Sequence, residues 1–181
     1  FRPDKIRIRS SLIEQTGLCR TRRRRNRYDM LTNKGKYGLK ALIALANLAP
    51  GETAFSAEIA AGSNIPKKFL DTILLELRNA GIVRSKKGPT GGYSLSRPAD
   101  EIRIGHAIRV IDGPLAPIRC ASRTAFEVCD DCRDPDTCLV RRSMTEVRDA
   151  VAEILDNMTL ARLVSGHYAE MDLAPQEKVA S

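Results

Sequence analysis

The sequence predicts a mainly α-helical fold with a small β-hairpin wing, arranged as a winged helix-turn-helix followed by a long helix. Apolar residues recur at helical spacing at 32–49 and 66–80, with room for a short helix between them. Two alternating segments then flank the glycine-rich turn at 88–92, which is typical of a hairpin. Farther along, apolar residues between 140 and 158 are separated alternately by four and three positions, as in a long packing helix.

Capping and turn residues set the expected bounds of the first three helices. Pro50-Gly51 stops the first helix, because proline cannot continue one. Ser56 is expected to cap a short second helix at 57–61, since its hydroxyl can accept a hydrogen bond from a first-turn amide. Pro66 opens the third helix and Gly81 ends it. The buried stripe of that third helix is predicted to consist of Phe69, Leu70, Ile73, Leu74 and Leu77.

The later elements are expected to be a hairpin, a short helix and a long helix. Strands are predicted at 82–86 and 93–96, and a helix at 104–111 that Gly113-Pro114 stops. The long helix carries an apolar seam of Val140, Met144, Val147, Val151, Ile154 and Met158. Since no other segment is long enough to cover this seam, we expect a homodimer contact there; packing against its own domain is the alternative.

These elements divide the chain into five parts. Residues 30–98 form the winged helix-turn-helix, 99–138 a short helix and a cysteine-rich loop, and 139–165 the dimerisation helix. Residues 1–29 are basic and lack a sustained period, so we expect a disordered extension or an upstream translation before Met30. Residues 166–181 are expected to form a flexible tail.

The charge distribution indicates which part of the chain meets a polyanion. The net charge is +8, but residues 99–181 are acidic overall, so the excess of Lys and Arg lies in the first half. Such a basic half favours a nucleic-acid partner. The sequence has no apolar run of 18 residues and no signal peptide, so we expect a cytoplasmic protein with no membrane partner.

Four cysteines, in the pattern C-x8-C-x2-C-x5-C, precede the long helix. Their segment has few apolar residues to bury, so we expect a metal, an iron–sulfur cluster or disulfides to hold its shape. Nearby aspartates should raise the pKa of the thiols, which argues against a simple activated thiolate. Cys19 lies far from the cluster in sequence and is set aside. The cysteines are Cys120, Cys129, Cys132 and Cys138, and the aspartates are Asp130, Asp131, Asp134 and Asp136.

Four segments carry a resemblance to a known family: LTNKGKYGLKALIALA, LRNAGIV, GPTGGYSL and NMTLARLV. Through them, residues 30–164 resemble the IscR/NsrR/RirA-type (Rrf) transcriptional regulators. The resemblance implies a dimeric winged-helix protein that binds double-stranded DNA. In several members an iron–sulfur cluster, 2Fe–2S or 4Fe–4S, is held by three cysteines before the dimer helix. By position, these cysteines match Cys120, Cys132 and Cys138.

The fourth ligand departs from the family pattern. The histidine that completes the site in one branch would fall at Arg141, and the aspartate of another branch would fall near Tyr37. Cys129 is additional and is expected to serve as the fourth ligand. The resemblance therefore implies a regulator, expected to be a repressor, that senses iron, redox state or nitric oxide. A structural zinc site, for which the spacing Cys129-x2-Cys132 is common, and a thiol–disulfide switch are the alternatives.

DNA contacts are expected from the third helix and the wing, because the second helix of a helix-turn-helix lies in the major groove. Asp71 is expected to discriminate between base sequences, since a carboxylate can accept from cytosine. Singly, each basic residue is best explained as solvated surface; together they favour DNA. Lys34, Lys36 and Lys40 are expected to add backbone contacts. The candidate contacts are Lys67, Lys68, Asp71, Thr72, Arg84, Lys86, Lys87, Thr90, Gly91 and Ser56.

The sequence does not favour an enzyme. It shows no phosphate-binding loop, nucleophile elbow or paired carboxylates, and its two histidines, His106 and His167, are far apart. His106 lies in an apolar helix and is expected to be a core or rim residue.

Overall fold

The computed structural model describes residues 31–88 and 91–166. Within them the chain forms six α-helices, a hairpin and a 3₁₀ turn, which confirms the mainly α fold with a two-stranded wing. The predicted extension at 1–29 and the tail after Gly166 lie outside the described residues. The elements are α1 (Asn33–Ala46), α2 (Ser56–Ser63), α3 (Lys67–Asn79), β1 (Val83–Lys86), β2 (Gly92–Leu95), α4 (Ile104–Asp112), the 3₁₀ turn (Arg119–Ala121), α5 (Leu139–Asn157) and α6 (Leu160–Ser165).

The hydrophobic core lies where α1, α3, α4 and α6 meet. Its fully buried members include Leu42 of α1 and Leu160 of α6. In α3, the side chains of Leu70, Ile73, Leu74 and Leu77 are completely buried, as the helical spacing predicts.

The wing is a regular antiparallel hairpin in which Val83 pairs with Leu95 and Lys86 with Gly92. A third segment joins it, because the amide of Ala54 donates to the carbonyl of Tyr93 at 3.0 Å and the amide of Tyr93 donates back at 2.8 Å. The linker between α1 and α2 is therefore fixed to the wing.

Three local predictions are wrong. The first helix ends at Ala46 rather than at residue 49. Phe55, not Ser56, holds the N-cap position of α2, and the Glu58 carboxylate accepts a hydrogen bond from the Phe55 amide at 2.8 Å. Phe69 is 53% exposed, because its position lies at the flank of the α3 stripe, and its ring is 6.4 Å from that of Tyr37.

The interval 139–165 holds two helices, so the prediction of one continuous dimerisation helix is wrong. α5 ends at Asn157 and Met158 is extended, while the Thr159 hydroxyl accepts from the Arg162 amide and caps α6. The break is fixed by pairing with the start of α4 and the residues just before it: Met158 O accepts from the Ile104 amide at 2.9 Å, and the Leu160 amide donates to the Ile102 carbonyl at 2.8 Å.

α5 lies on the outside of the fold and has no buried residue. It packs on α4 and on the 3₁₀ turn, and the Arg109 guanidinium of α4 makes two hydrogen bonds, of 2.5 and 2.8 Å, to Asp156 of α5. Several of its apolar side chains remain open to solvent, with Leu139 72%, Val140 65% and Val147 43% exposed. The homodimer contact on this helix stays a prediction. Within the described ranges, no helix combines the length and the apolar character that crossing a membrane requires.

Candidate DNA-binding face and cysteine loop

The exposed face of α3 carries the predicted recognition residues. Lys67, Lys68, Asp71 and Thr72 are all exposed. Thr72 lies one turn after Lys68, and its hydroxyl makes only a long hydrogen bond, of 3.4 Å, to the Lys68 carbonyl. The side chains of this face therefore point away from the core on a rigid helix whose opposite side is buried.

Asp71 joins α3 to the start of α2. Lys67 Nζ is 2.8 Å from Asp71 Oδ2, and this hydrogen bond is the main cause that lowers the pKa of the Asp71 carboxyl. The Ser56 side chain is the second hydrogen-bond partner. Asp71 and Ser56, both predicted to contact DNA, thus lie near each other where α3 approaches the start of α2.

Two of the three α1 lysines predicted to contact DNA have partners within the protein. Lys34 Nζ donates to Glu76 of α3 at 2.8 Å and to the Ile111 carbonyl at 2.9 Å, and Lys40 Nζ donates to the Ser63 carbonyl at 2.7 Å. These two lysines tie elements together, so the prediction that they serve DNA contacts is not supported by their geometry. Lys36 is exposed, with Nζ 5.9 Å from the centre of the Tyr37 ring.

The wing presents its basic residues to solvent. Arg84, Lys86 and Lys87 are exposed, and Arg84 Nε donates across the hairpin to Ser94 Oγ at 3.0 Å. Gly91 is buried: its amide donates to the Gly88 carbonyl, and its own carbonyl accepts from Thr53 Oγ1 at 2.9 Å. The Gly91 amide is therefore bonded within the hairpin turn, and its carbonyl is bonded to the linker before α2. Thr90 lies outside the described residues.

An open groove runs between the start of α2 and the wing, and two of its residues were missed by the sequence analysis. Arg78 lies in the last turn of α3, seven positions after Asp71 and hence on the same helical face, and Phe55 is 45% exposed. Helical spacing alone could have identified Arg78. The groove is lined by Phe55, Ser56, Ala57, Arg78, Ser85, Lys86, Lys87, Gly88, Gly92 and Tyr93.

Basic side chains outnumber acidic ones on the surface formed by α3, the groove and the wing. Of the acids near it, Asp71 is paired with Lys67, and the Glu58 carboxylate accepts from a backbone amide. The basic side chains of the α3 face, the groove and the wing are thus opposed by few free carboxylates, which favours a polyanion.

The four clustered cysteines differ in exposure. Cys120 is 4% exposed in the 3₁₀ turn, Cys129 is exposed, and Cys132 and Cys138 are half-buried. Cys138 is the N-cap of α5, immediately before the long helix as predicted. The Cys132 amide donates to the Cys129 carbonyl at 3.1 Å, which closes the C-x2-C segment into a turn.

The thiols interact with one another. A hydrogen bond with the Cys120 side chain is the largest cause that raises the pKa of Cys129, and the charge of Asp131 contributes further. Partial burial raises the pKa of Cys132, followed by its neighbours Cys138 and Cys129. The thiolate forms of Cys129 and Cys132 are therefore disfavoured in the absence of a cation.

The four thiols are suitable ligands for a soft metal or an iron–sulfur cluster, but they do not form a complete binding site in this conformation. Among residues 31–88 and 91–166, no three His, Cys, Asp or Glu side chains converge closely enough to hold a metal ion. Four thiols in one loop nonetheless provide the ligand type and number that zinc and iron–sulfur clusters use. Binding of either would therefore require the cysteine loop to rearrange.

His106 is exposed, so it is a rim residue rather than a core residue.

Comparisons with known proteins agree with this geometry. The family model described as Rrf2, an iron-dependent transcriptional regulator, matches residues 31–166. A Rhodobacter capsulatus protein named as a putative rrf2-like HTH-type transcriptional regulator is 42% identical over 139 residues, covering 75% of this chain and 93% of that protein.

Solved structures show the same fold. The structure of CymR, the global cysteine regulator of B. subtilis, matches with a TM-score of 0.61 and 36% identity, covering 75% of this chain and 96% of that one. IscR of T. potens matches with a TM-score of 0.60 and 26% identity, covering 81% and 92%. These relatives are regulators and not enzymes, as the sequence predicted. The chain belongs to the Rrf2 family of winged-helix transcriptional regulators.

Proposed function

We propose that the protein is a homodimeric repressor that binds a double-stranded DNA operator in the cytoplasm and senses iron, redox state or nitric oxide through an iron–sulfur cluster in the cysteine loop. The observation that carries the DNA part is the basic surface shared by α3, the α2 groove and the wing. α3 enters the major groove, with Lys68 and Thr72 near base edges. Lys86, Lys87 and Arg78 bind the phosphates beside it.

Asp71 has a positioning role in this proposal. Because it holds Lys67 and Ser56, it fixes the direction from which Lys67 approaches DNA. Sequence discrimination by Asp71 then acts through Lys67. Asp71→Ala is expected to change the relative affinities of operator variants. An equal loss of affinity for every variant would show that Asp71 does not contribute to sequence discrimination.

DNA binding is tested with a duplex selected from a random-sequence pool and followed by fluorescence anisotropy at several salt concentrations. Lys86→Ala is expected to reduce the slope of log affinity against log salt by about 0.9 for each lost phosphate contact. Arg142→Ala, an exposed charge on α5, is the control and should leave the slope unchanged. An unchanged slope for Lys86→Ala would exclude the wing from the interface.

The dimer is proposed to form through α5. Its exposed Leu139, Val140 and Val147 form an apolar surface beside half-buried Met144 and Val151. A second copy of the chain would cover these residues and place the two α3 helices about 34 Å apart, one turn of DNA.

For the cysteine loop, Cys120, Cys129, Cys132 and Cys138 are proposed to hold the cluster, which when bound supplies an iron centre that reacts with oxidants or nitric oxide. The protein's own contribution is to keep Cys120 buried, to place Cys138 at the N-terminus of α5, and to carry Cys129 and Cys132 on one short turn. Loss of the ligand releases that turn from α5.

The test is the iron, sulfide and zinc content of protein purified without oxygen, together with its visible spectrum. Near-equal iron and sulfide with broad visible absorption supports the cluster. One zinc per chain and no colour supports the alternative of a structural zinc site, which the closed Cys129–Cys132 turn favours. Disulfides without metal would support the thiol switch, which the interaction of Cys129 with Cys120 favours.

A further inference from the structure

The 3₁₀ turn that carries Cys120 is bound to α5 through its backbone. The carbonyls of Ile118 and Arg119 accept hydrogen bonds from the amides of Ala121 and Ser122. The next two accept from arginines: Arg141 Nε donates to the Cys120 carbonyl at 3.0 Å, and Arg148 Nη1 donates to the Ala121 carbonyl at 2.6 Å. Two consecutive carbonyls at the buried cysteine are thus held by two side chains of one helix.

The two arginines lie on one face of α5. They are seven residues apart, which is two helical turns and about 10 Å along the axis. Arg148 has only 11% of its side chain exposed, and its Nε and Nη2 also donate to Asp149 at 2.9 and 2.6 Å. The Asp149 carboxylate therefore holds the guanidinium of Arg148 in the orientation in which it bonds the turn.

Arg141 also reaches the far end of the cysteine loop. Its Nη1 lies 3.0 Å from the Pro135 carbonyl and 3.0 Å from Asp136 Oδ1, and its guanidinium carbon is 5.3 Å from the centre of the Phe126 ring. One side chain consequently joins the segment at Cys120 to the segment just before Cys138. Only a planar fork with separate N–H groups can serve these partners together.

We propose that Arg141 and Arg148 are positioning residues that lock the Cys120 turn onto α5. They keep Cys120 buried and aligned with Cys138 in the absence of any metal, and they make α5 move with Cys120 when the state of the cysteines changes. The first part concerns the protein alone; the second rests on the proposed sensing function. Nothing in this arrangement uses Arg141 as a ligand.

The positioning is tested on the metal-free, reduced chain by the rate at which iodoacetamide modifies Cys120, read by mass spectrometry of the peptide. Arg141→Gln and Arg148→Gln are each expected to increase this rate about 10-fold to 100-fold, because Cys120 becomes reachable when the turn opens locally. Arg142→Gln is the matched control, since it makes the same change at an exposed neighbour in the same helix. Circular dichroism reports whether each variant retains its helices.

Arg141→Lys separates geometry from charge. Lysine keeps the positive charge but is a compact donor without a fork, so it is expected to leave Cys120 as reactive as in Arg141→Gln. It also serves as the second variant if Arg141→Gln does not fold. Full protection in Arg141→Lys would overturn the proposed fork, and rates within about twofold of wild type in both glutamine variants would overturn the positioning role.

Metal binding provides a second readout that tells the inference apart from the sensing proposal. Anaerobic titration with Co²⁺, followed by its sulfur-to-metal absorption, is expected to show affinity about 10-fold to 100-fold weaker in Arg141→Gln than in wild type and in Arg142→Gln. If the wild-type chain binds neither Co²⁺ nor a cluster, the sensing function fails, whereas the alkylation rates still decide the role of the two arginines. Equal Co²⁺ affinities in all variants would overturn the preorganisation of the site.

Discussion

Replacing Asp112 by alanine is expected to lower the free energy of unfolding by about 2 to 3 kcal/mol. Asp112 is the last residue of α4 and faces the start of α1. Its Oδ2 accepts from the Thr32 amide at 2.8 Å, and its Oδ1 accepts from Thr32 Oγ1 at 2.7 Å. Thr32 is in turn the N-cap of α1, where its hydroxyl oxygen accepts from the amides of Lys34 and Gly35. One carboxylate therefore fixes the point where the chain leaves α4 against the first helix.

The magnitude follows from the two bonds and the position of the charge. A hydrogen bond to a charged group contributes about 1.5 to 3 kcal/mol, and a carboxylate at a helix N-terminus adds about 0.3 to 1 kcal/mol. Asp112 is half-buried, so solvent screening reduces the total. We therefore expect a loss somewhat below the lower end of this sum, at about 2 to 3 kcal/mol.

The assay is urea unfolding of wild type, Asp112→Ala, Thr32→Ala and the double variant. Thr32→Ala removes the hydroxyl but leaves the amide of residue 32 to donate, so the cycle isolates the Oγ1–Oδ1 bond, with an expected coupling of about 1 kcal/mol. The midpoint should fall with an unchanged m-value. Asp100→Ala, an exposed residue before α4, is the control and should stay within about 0.5 kcal/mol of wild type. A change below about 0.5 kcal/mol for Asp112→Ala, or no coupling with Thr32, would refute the reasoning.

Three further outcomes are expected. Phe69→Ala should destabilise the fold by less than about 1 kcal/mol in urea, whereas Leu70→Ala should lose about 2 to 5 kcal/mol; equal losses would contradict the exposure of Phe69. The hydrogen bond from Arg109 lowers the pKa of Asp156, so this pair stabilises the fold above the unfolded-state pKa and ceases to do so as pH falls through the folded-state value. Asp156→Asn should therefore reduce the acid-induced loss of stability, by less than about 1 kcal/mol because both side chains are more than a third exposed; an unaltered pH profile would contradict this. Val147→Glu should yield a monomer in sedimentation equilibrium with unchanged circular dichroism, and a persisting dimer would place the contact elsewhere.

Local patterns predicted most of the elements because each is encoded over a few turns. The stripe from Leu70 to Leu77 follows helical spacing directly, and the hairpin follows the glycines between its strands. Phe69 was misplaced because apolar character alone does not tell the centre of a stripe from its flank. Ser56 was misplaced by one residue because Glu58 bonds the amide of Phe55 and starts the helix there.

Contacts between distant segments could not be read from those patterns. The break at Met158 depends on a backbone bond to Ile104, more than fifty positions earlier, so the apolar seam gives no sign of it. The inward use of Lys34 likewise depends on Glu76 and on the carbonyl of Ile111. For the cysteines, spacing predicted a group of candidate ligands, but the arginines that bind their loop act on backbone carbonyls, which have no sequence signature.

The bond between Met158 and Ile104 has a consequence for the way the chain is divided. Because Leu160 of α6 is fully buried in the same core as Leu42 of α1, the DNA-binding unit is discontinuous in sequence. The cysteine loop and α5 form an excursion that leaves this unit after Asp112 and rejoins it at Met158. A fragment of residues 30–98 would lack part of its own core. Both ends of the excursion are anchored to one body, so under the proposed sensing function a change at the cysteines would reach the DNA-binding unit through these two anchored points.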